Sequence, residues 1–210
     1  MTSTLPRLYA IVDAQVLAAR GVALEAFAHE LRAAGVGLLQ YRHKTGSPQQ
    51  ILGGAAILRA AMAGSGCTLL MNDRADLAVL AGFDGVHVGQ GDLAPEDARR
   101  VIGTAKLIGL STHTDEQVRA ADSSAADYVA IGPAFATGTK TDTEPVVGLD
   151  GVRRARALTR KPLVAIGGIT RANARSVIDA GADSVAIISG LFAPGESVEK
   201  VARDFLELLR

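Results

Sequence analysis

The chain has 210 residues, of which 48% are apolar, enough to bury a sizeable core and short enough for one domain rather than two. Its 22 Lys and Arg balance its 22 Asp and Glu, so the formal net charge is zero, which argues against a dedicated nucleic-acid or anionic-membrane binder. Three Tyr, five Phe and no Trp leave no stacking platform for single-stranded nucleic acid, and one cysteine, Cys67, excludes an internal disulfide framework and a multi-cysteine zinc site.

The opening MTSTLPRLYAIVDAQ has no apolar stretch preceded by basic residues, and no run approaches about 18 uncharged apolar residues, so neither a signal peptide nor a membrane span is expected and the default is a cytoplasmic protein. Short apolar runs then alternate with longer, Ala-rich amphipathic segments. The runs predict strands over 7–13, 37–42, 67–71, 85–88, 106–110, 127–131, 163–166 and 184–188. Cys67 opens the third run and reads as a small core residue rather than a nucleophile. Between the runs, Ser47-Pro-Gln-Gln50 combines an N-cap, a Pro at the first helical position and a Gln at the third, a capping box. Thr114-Asp-Glu-Gln117 repeats that box, and Thr170 is placed to cap the helix after it. Gly35, Gly82 and Gly181 mark helix ends. The last segment, 196–210, sets Val198, Val201, Ala202, Phe205, Leu206 and Leu209 on one helical face.

Continuous apolar strands covered by helices describe a parallel sheet. Eight βα units without a linker or composition break predict a single (β/α)8 TIM barrel over 1–210, with an open doubly wound sheet as the alternative. The longest connection, after the sixth strand, holds the polar run Gly132-Pro-Ala-Phe-Ala-Thr-Gly-Thr-Lys-Thr-Asp-Thr-Glu-Pro145, and long loops in compact domains usually carry function.

In such a barrel the active site lies at the C-terminal strand ends. After strand two, Gln40, Arg42 and Lys44 alternate along an extended chain and so share one face. Two cations there suit a phosphate or diphosphate; the plainer reading is a solvated basic turn. After strand three comes Asn72-Asp73, and after strand four Asp92. Asp73 also fits a helix N-cap and Asp92 an ordinary loop residue, but together they would suit one hard divalent cation such as Mg²⁺. Ser111 and His113 follow strand five; His113 reads as a structural or supporting group in preference to a general acid or base. Thr137, Gly138, Thr139 and Lys140 after strand six suit a second anion. Gly167-Gly168 after strand seven and Ile188-Ser189-Gly190 after strand eight occupy the recurring phosphate site of this fold. No Ser-His-Asp nucleophile is evident, so the pattern points to stabilising the charge of a leaving diphosphate.

These residues fall into ordered motifs: Gln40-Tyr-Arg-His-Lys44, Asn72-Asp-Arg74 with Asp76-Leu-Ala78, Gly85-Val-His-Val-Gly-Gln90 with Asp92, Ile108-Gly-Leu-Ser-Thr-His113, Gly132-Pro-Ala-Phe135 with Thr137-Gly-Thr-Lys140, Ala165-Ile-Gly-Gly-Ile169, and Gly181-Ala-Asp183. Across nearly the whole chain they resemble the thiamine phosphate synthases of the thiamine phosphate synthase/thiazole tautomerase superfamily. The resemblance implies a TIM-barrel transferase of thiamine biosynthesis that joins hydroxymethylpyrimidine diphosphate to hydroxyethylthiazole phosphate, releasing diphosphate by a dissociative, Mg²⁺-assisted route. It further implies that Gln40, Arg42, Lys44 and Asn72 hold the pyrimidine diphosphate and that Asp73 and Asp92 bind Mg²⁺. Ser111 and Lys140 would contact diphosphate or pyrimidine, and Thr137, Thr139, Gly168, Ile188 and Ser189 the thiazole phosphate. Arg42, Lys44, Ser111 and Lys140 are the expected catalytic set. Where the family usually has Phe-Pro-Thr, this chain has Phe135-Ala136-Thr137, without the fixed proline φ. The partners implied are small molecules, with no nucleic acid and no membrane; a homo-oligomer is left open. The alternatives are a thiazole tautomerase of the same fold and a non-catalytic barrel that binds phosphate ligands.

Overall fold

Runs such as Leu8-Tyr-Ala-Ile-Val12 have no polar face to offer water, and all five of these residues are buried. A computed structural model describes residues 5–138 and 145–210. Its strands are β1 (Leu8–Asp13), β2 (Leu38–Arg42), β3 (Thr68–Asn72), β4 (Gly85–Val88), β5 (Leu107–Thr112), β6 (Tyr128–Ile131), β7 (Leu163–Ile166) and β8 (Ser184–Ile187). They pair in parallel in chain order, and β8 returns to β1 through Leu8↔Val185 and Ala10↔Ile187, closing a barrel. The closure excludes the open sheet. All eight expected strands are present, β4 and β7 with the expected bounds and the other six with ends shifted by a residue or two.

The helices are α1 (Ala14–Ala19), α2 (Leu24–Ala34), α3 (Pro48–Met62), α4 (Ala75–Leu80), α5 (Pro95–Ile102), α6 (Asp115–Ser123), α7 (Gly148–Leu158), α8 (Ala174–Asp179) and α9 (Val198–Leu208). None is long and apolar enough to cross a membrane. In α9, Val198, Val201, Ala202 and Phe205 are buried as the spacing requires. The Ser47 box is complete: Ser47 Oγ accepts from the Gln50 N–H and Gln50 Oε1 from the Ser47 N–H. The Thr114 box is half formed. Thr114 Oγ1 accepts from the Gln117 N–H, but Gln117 Oε1 reaches one residue further back, to the His113 N–H at 2.7 Å. Thr170 does not cap α8 with its side chain. Asn173 takes that turn over, accepting from the Thr170 N–H at 2.7 Å and donating to the Gly168 carbonyl at 3.1 Å.

Strand alternation divides the core in two. Leu8, Ala10 and Val12 of β1 face the helices, whereas Tyr9 and Ile11 join Leu38, Leu70, Tyr128 and Val164 inside the barrel. Two tyrosines fit there because β5 faces them with Gly109, where a Cβ would overlap both the Tyr128 ring and the His87 imidazole. At the opposite end from the strand C-termini, Asp84, Asp127 and Asp183 stand just before the even strands β4, β6 and β8. Each accepts from a backbone N–H of the strand before it: Leu69 at 2.8 Å, Ile108 at 2.7 Å and Leu163 at 2.8 Å. Cys67 is half-buried against the helix-facing core, and burial, with Asp84 nearby, pushes its thiol up to about 12. It is an inert packing residue.

Candidate active site

The inward positions of β2 are Leu38, Gln40 and Arg42, so the alternation that buries Leu38 also carries Gln40 and Arg42 to the barrel mouth. Arg42 does not hang free there. Its Nη1 lies 2.5 Å from Oδ2 of Asp13, whose Oδ1 accepts from the Gln15 and Val16 N–H groups at the start of α1. The Asp13 carboxylate, 3% exposed, therefore fixes the aim of Arg42. Sequence reasoning passed over Asp13; its one local signal is that it ends the first strand directly before a helix.

Lys44 Nζ pairs with Asp73 Oδ2 at 2.6 Å. Asp73 is not a helix N-cap: α4 begins at Ala75, Arg74 holds the cap position, and no side chain caps it. Instead Asp73 has a left-handed backbone, φ 62°, and its N–H donates to the His87 carbonyl of β4 at 2.8 Å. That twist turns its carboxylate toward Asp92, whose Oδ2 accepts from the Gly89 N–H at 2.8 Å. Burial raises the Asp73 pKa above the usual carboxylate range, and Asp92 adds to the rise while the Lys44 bond opposes it. Two crowded carboxylates with hard oxygen donors fit Mg²⁺, which takes one or two protein carboxylates and completes its shell with water and phosphate oxygens. Among the described residues no group of three or more His, Cys, Asp or Glu could hold a metal, so the pair does not form an all-protein cage.

Ser111 Oγ meets His87 Nε2 at 2.8 Å, a contact the sequence did not disclose. The other imidazole nitrogen meets the Tyr128 hydroxyl rather than a carboxylate, so no triad results. His113 binds the Gly132 carbonyl through Nδ1 at 2.7 Å, which ties β5 to the start of the loop after β6 and agrees with a structural role. Gly168 has φ 63°, and a Cβ there would lie 2.5 Å from the Ala136 carbonyl oxygen, so the loops after β6 and β7 touch through bare backbone. Ser189 opens a single 3-10 turn, Ser189–Leu191. Thr139 and Lys140 lie outside the described residues.

Two cavities result. One, about 850 Å³, opens at the mouth beside Gln40, Arg42, Lys44, Asn72, Asp73 and Asp92. The other, about 200 Å³, lies beneath the loops after β6, β7 and β8 and includes Thr137 and Gly168. They meet at Ser111, His113, Ile188 and Ser189, which border both. Every expected site residue within the described chain borders one cavity or both. The first offers cations beside a carboxylate pair; the second is lined largely by apolar side chains, with a few hydroxyls and the backbone of Gly167, Gly168 and Gly190 among them.

A family model described as thiamine monophosphate synthase matches residues 8–191. A thiamine-phosphate synthase from Koribacter versatilis is 56% identical over 207 residues, 98% of this chain and 96% of that protein. One from Chloroflexus aurantiacus is 41% identical over 203 residues, 97% of this chain and 92% of that protein. Among solved structures, thiamine phosphate pyrophosphorylase from Pyrococcus furiosus superposes with a TM-score of 0.85 at 29% identity, covering 97% of this chain and 95% of that one. The relatives cover nearly the full length, and the chain belongs to the thiamine monophosphate synthase family.

Proposed function

We propose that the chain is a thiamine phosphate synthase, a transferase that moves the hydroxymethylpyrimidine group from its diphosphate to hydroxyethylthiazole phosphate. The observation that carries this reading is the seam at Ser111 and Ile188, where a cation-lined cavity adjoins a second, largely apolar cavity whose polar groups, the hydroxyls of Thr137 and Ser189 and the backbone at Gly167, Gly168 and Gly190, suit a phosphate on an apolar ring. Such a pair of compartments suits the joining of two phosphorylated molecules. In this reading Gln40, Arg42, Lys44 and Asn72 hold the pyrimidine diphosphate, and Ser111 and Lys140 contact its pyrimidine or its diphosphate. Thr137, Thr139, Gly168, Ile188 and Ser189 hold the thiazole phosphate. The carbon–oxygen bond to diphosphate breaks, a pyrimidine methylene cation forms, and the thiazole nitrogen supplies the electron pair of the new bond. Arg42 and Lys44 stabilise the negative charge that grows on the leaving oxygens, and catalysis by preorganised charge needs no protein nucleophile. Asp73 and Asp92 would hold Mg²⁺, which when bound neutralises part of the diphosphate charge. The substrates are small molecules, the setting is the cytoplasm, and neither nucleic acid nor membrane takes part.

The test supplies both substrates with Mg²⁺ and measures thiamine phosphate and diphosphate. Equal amounts of the two products are expected. Interconversion of thiazole tautomers without either product would favour a tautomerase, and binding of both ligands without turnover a non-catalytic barrel; each would overturn the proposal.

A further inference from the structure

Five side chains form one hydrogen-bonded line across the barrel interior, directly below the mouth. Gln40 Nε2 donates to the Tyr9 hydroxyl at 2.6 Å, and the Tyr9 and Tyr128 hydroxyls meet at 2.9 Å. The Tyr128 hydroxyl meets His87 Nδ1 at 2.8 Å, and His87 Nε2 meets Ser111 Oγ at 2.8 Å. Gln40 and Ser111, the two ends, border the mouth cavity on different strands, as Tyr9 and His87 also do, and Tyr128 lies behind them; the three residues between the ends have no place in the reaction described so far. Tyr9 and Tyr128 are each 1% exposed. Burial raises both phenols far above their ordinary range, so both keep their protons wherever the protein works.

Each hydroxyl has one proton to give, so the direction chosen at one end runs to the other. Gln40 presents its NH₂ to Tyr9 and thereby sets that direction. Tyr9 accepts from Gln40 and donates to Tyr128, Tyr128 donates to His87 Nδ1, and His87 donates from Nε2 to Ser111. In the reverse direction the Tyr9 proton would meet the Gln40 NH₂ head-on. In a mixed arrangement Tyr9 would accept from both neighbours and leave its own proton buried without an acceptor, which cores avoid. The line is also sterically built: Gly109 leaves the space that Tyr128 and His87 share, and their rings stack with centroids 5.6 Å apart.

We propose that Tyr9, Tyr128 and His87 are positioning residues that fix the hydrogen-bond polarity of the site, so that Gln40 turns its amide oxygen, and Ser111 its hydroxyl proton, toward the substrate. The site then selects a heterocycle that offers an N–H donor at Gln40 and an acceptor at Ser111. This selectivity rests on the synthase reading; the polarity of the line does not. An aminopyrimidine has the required donor in its exocyclic amine, and a ring with an oxo group in that place is refused.

The test begins with nitrogen-15 NMR of the full-length protein. The chain has four histidines, and the His87 signals are identified by their loss in His87→Gln. The expected tautomer carries its proton on Nε2 with Nδ1 bare. A proton on Nδ1 overturns the proposal, whether or not the protein makes thiamine phosphate. Tyr128→Phe removes one hydroxyl from the middle of the line and keeps the ring. In this variant the single tautomer should give way to a mixture. The KM for the pyrimidine diphosphate should rise about tenfold, the size of one net hydrogen bond, with that for the thiazole phosphate unchanged. A folded Tyr128→Phe with unaltered tautomer and unaltered KM would show the line to be packing only and overturn it. If the variant fails to fold, the wild-type tautomer decides alone. If no synthesis occurs at all, calorimetric binding of amino- against oxopyrimidine diphosphate replaces KM.

Discussion

Asp73 is the one non-glycine residue with positive φ among the described residues, at 62°. Left-handed backbone costs an L-residue about 1–2 kcal/mol, less for Asp than for Ala. The twist brings the carboxylate to Lys44 and Asp92, so local stability is given up where the site needs a particular direction. Asp73→Gly removes the strain and Asp73→Ala increases it. Both should lose turnover, yet Asp73→Gly should melt higher than Asp73→Ala by about 2–4 °C, read by thermal unfolding. Arg42 carries a different debt. Arg42→Ala leaves the Asp13 carboxyl nearly inaccessible, with only its two backbone N–H bonds. The loss of turnover should therefore come with a clear fall in Tm, because orphaning a buried partner costs about 3–5 kcal/mol. Asp13→Asn keeps an acceptor for α1 and should lower kcat with a smaller fall in Tm. Gln40 and Arg42 were legible because strand alternation is a local rule, whereas Lys44 lies in the turn after β2 and reaches the site through its pairing with Asp73. Asp13 was not, because its partner is 29 residues away and only strand pairing joins them.

At the scale of elements, the loop after β7 is fastened to α9 by charges. Arg171 pairs with Glu196 at 2.5 Å and with Asp204, and Lys200 pairs with both carboxylates, at 2.6 Å and 2.9 Å. Arg171, with Lys200 beside it, holds the Glu196 carboxyl down at about 2. A lowered carboxylate pKa contributes stability that is complete above the unfolded value, about 4.3, and lost as pH falls through the folded value. The Tm difference between wild type and Arg171→Ala should thus be present near neutrality and vanish below about pH 2, with added salt shrinking it because the cluster is open to solvent. Equal Tm differences across that acid range would remove this cluster from the acid response. The elements themselves were largely readable: eight strands, the Ser47 box and the Gly35 helix end, at φ 85°, follow from sequence-local chemistry. The misassignments at Thr114 and Thr170 share one cause. A longer amide side chain, Gln117 or Asn173, reached a backbone group that spacing alone had given to a neighbour. The line from Gln40 to Ser111 was beyond such reading, since it draws one residue from each of five strands and depends on the space left at Gly109.

Across the whole molecule, neutrality conceals a division of labour. Acidic residues before the even strands, with Arg99 on Asp127 at 2.6 Å and Arg156 on Asp183 at 2.8 Å, lock the end of the barrel away from the site. Arg42 and Lys44 stand at the other end beside Asp13, Asp73 and Asp92. Among the described residues Arg42 and Lys44 are thus already partnered, and the field that these two cations send to a distant diphosphate is nearly cancelled by the adjacent carboxylates. Attraction begins only within a few ångströms, where the Arg42 guanidinium and a metal between the carboxylates act individually. The salt dependence follows from that geometry. Raising ionic strength until the Debye length shrinks from about 30 Å to about 3 Å screens long-range steering but not contacts inside a cavity. At saturating Mg²⁺, kcat/KM for the pyrimidine diphosphate should therefore fall by no more than a few-fold over that range, far less than the 10–10³-fold gain that a one-signed cleft draws from steering. A steep fall, measured in stopped initial-rate assays at fixed pH, would show that the mouth presents a net positive field and that the Lys44–Asp73 pairing opens before the substrate arrives.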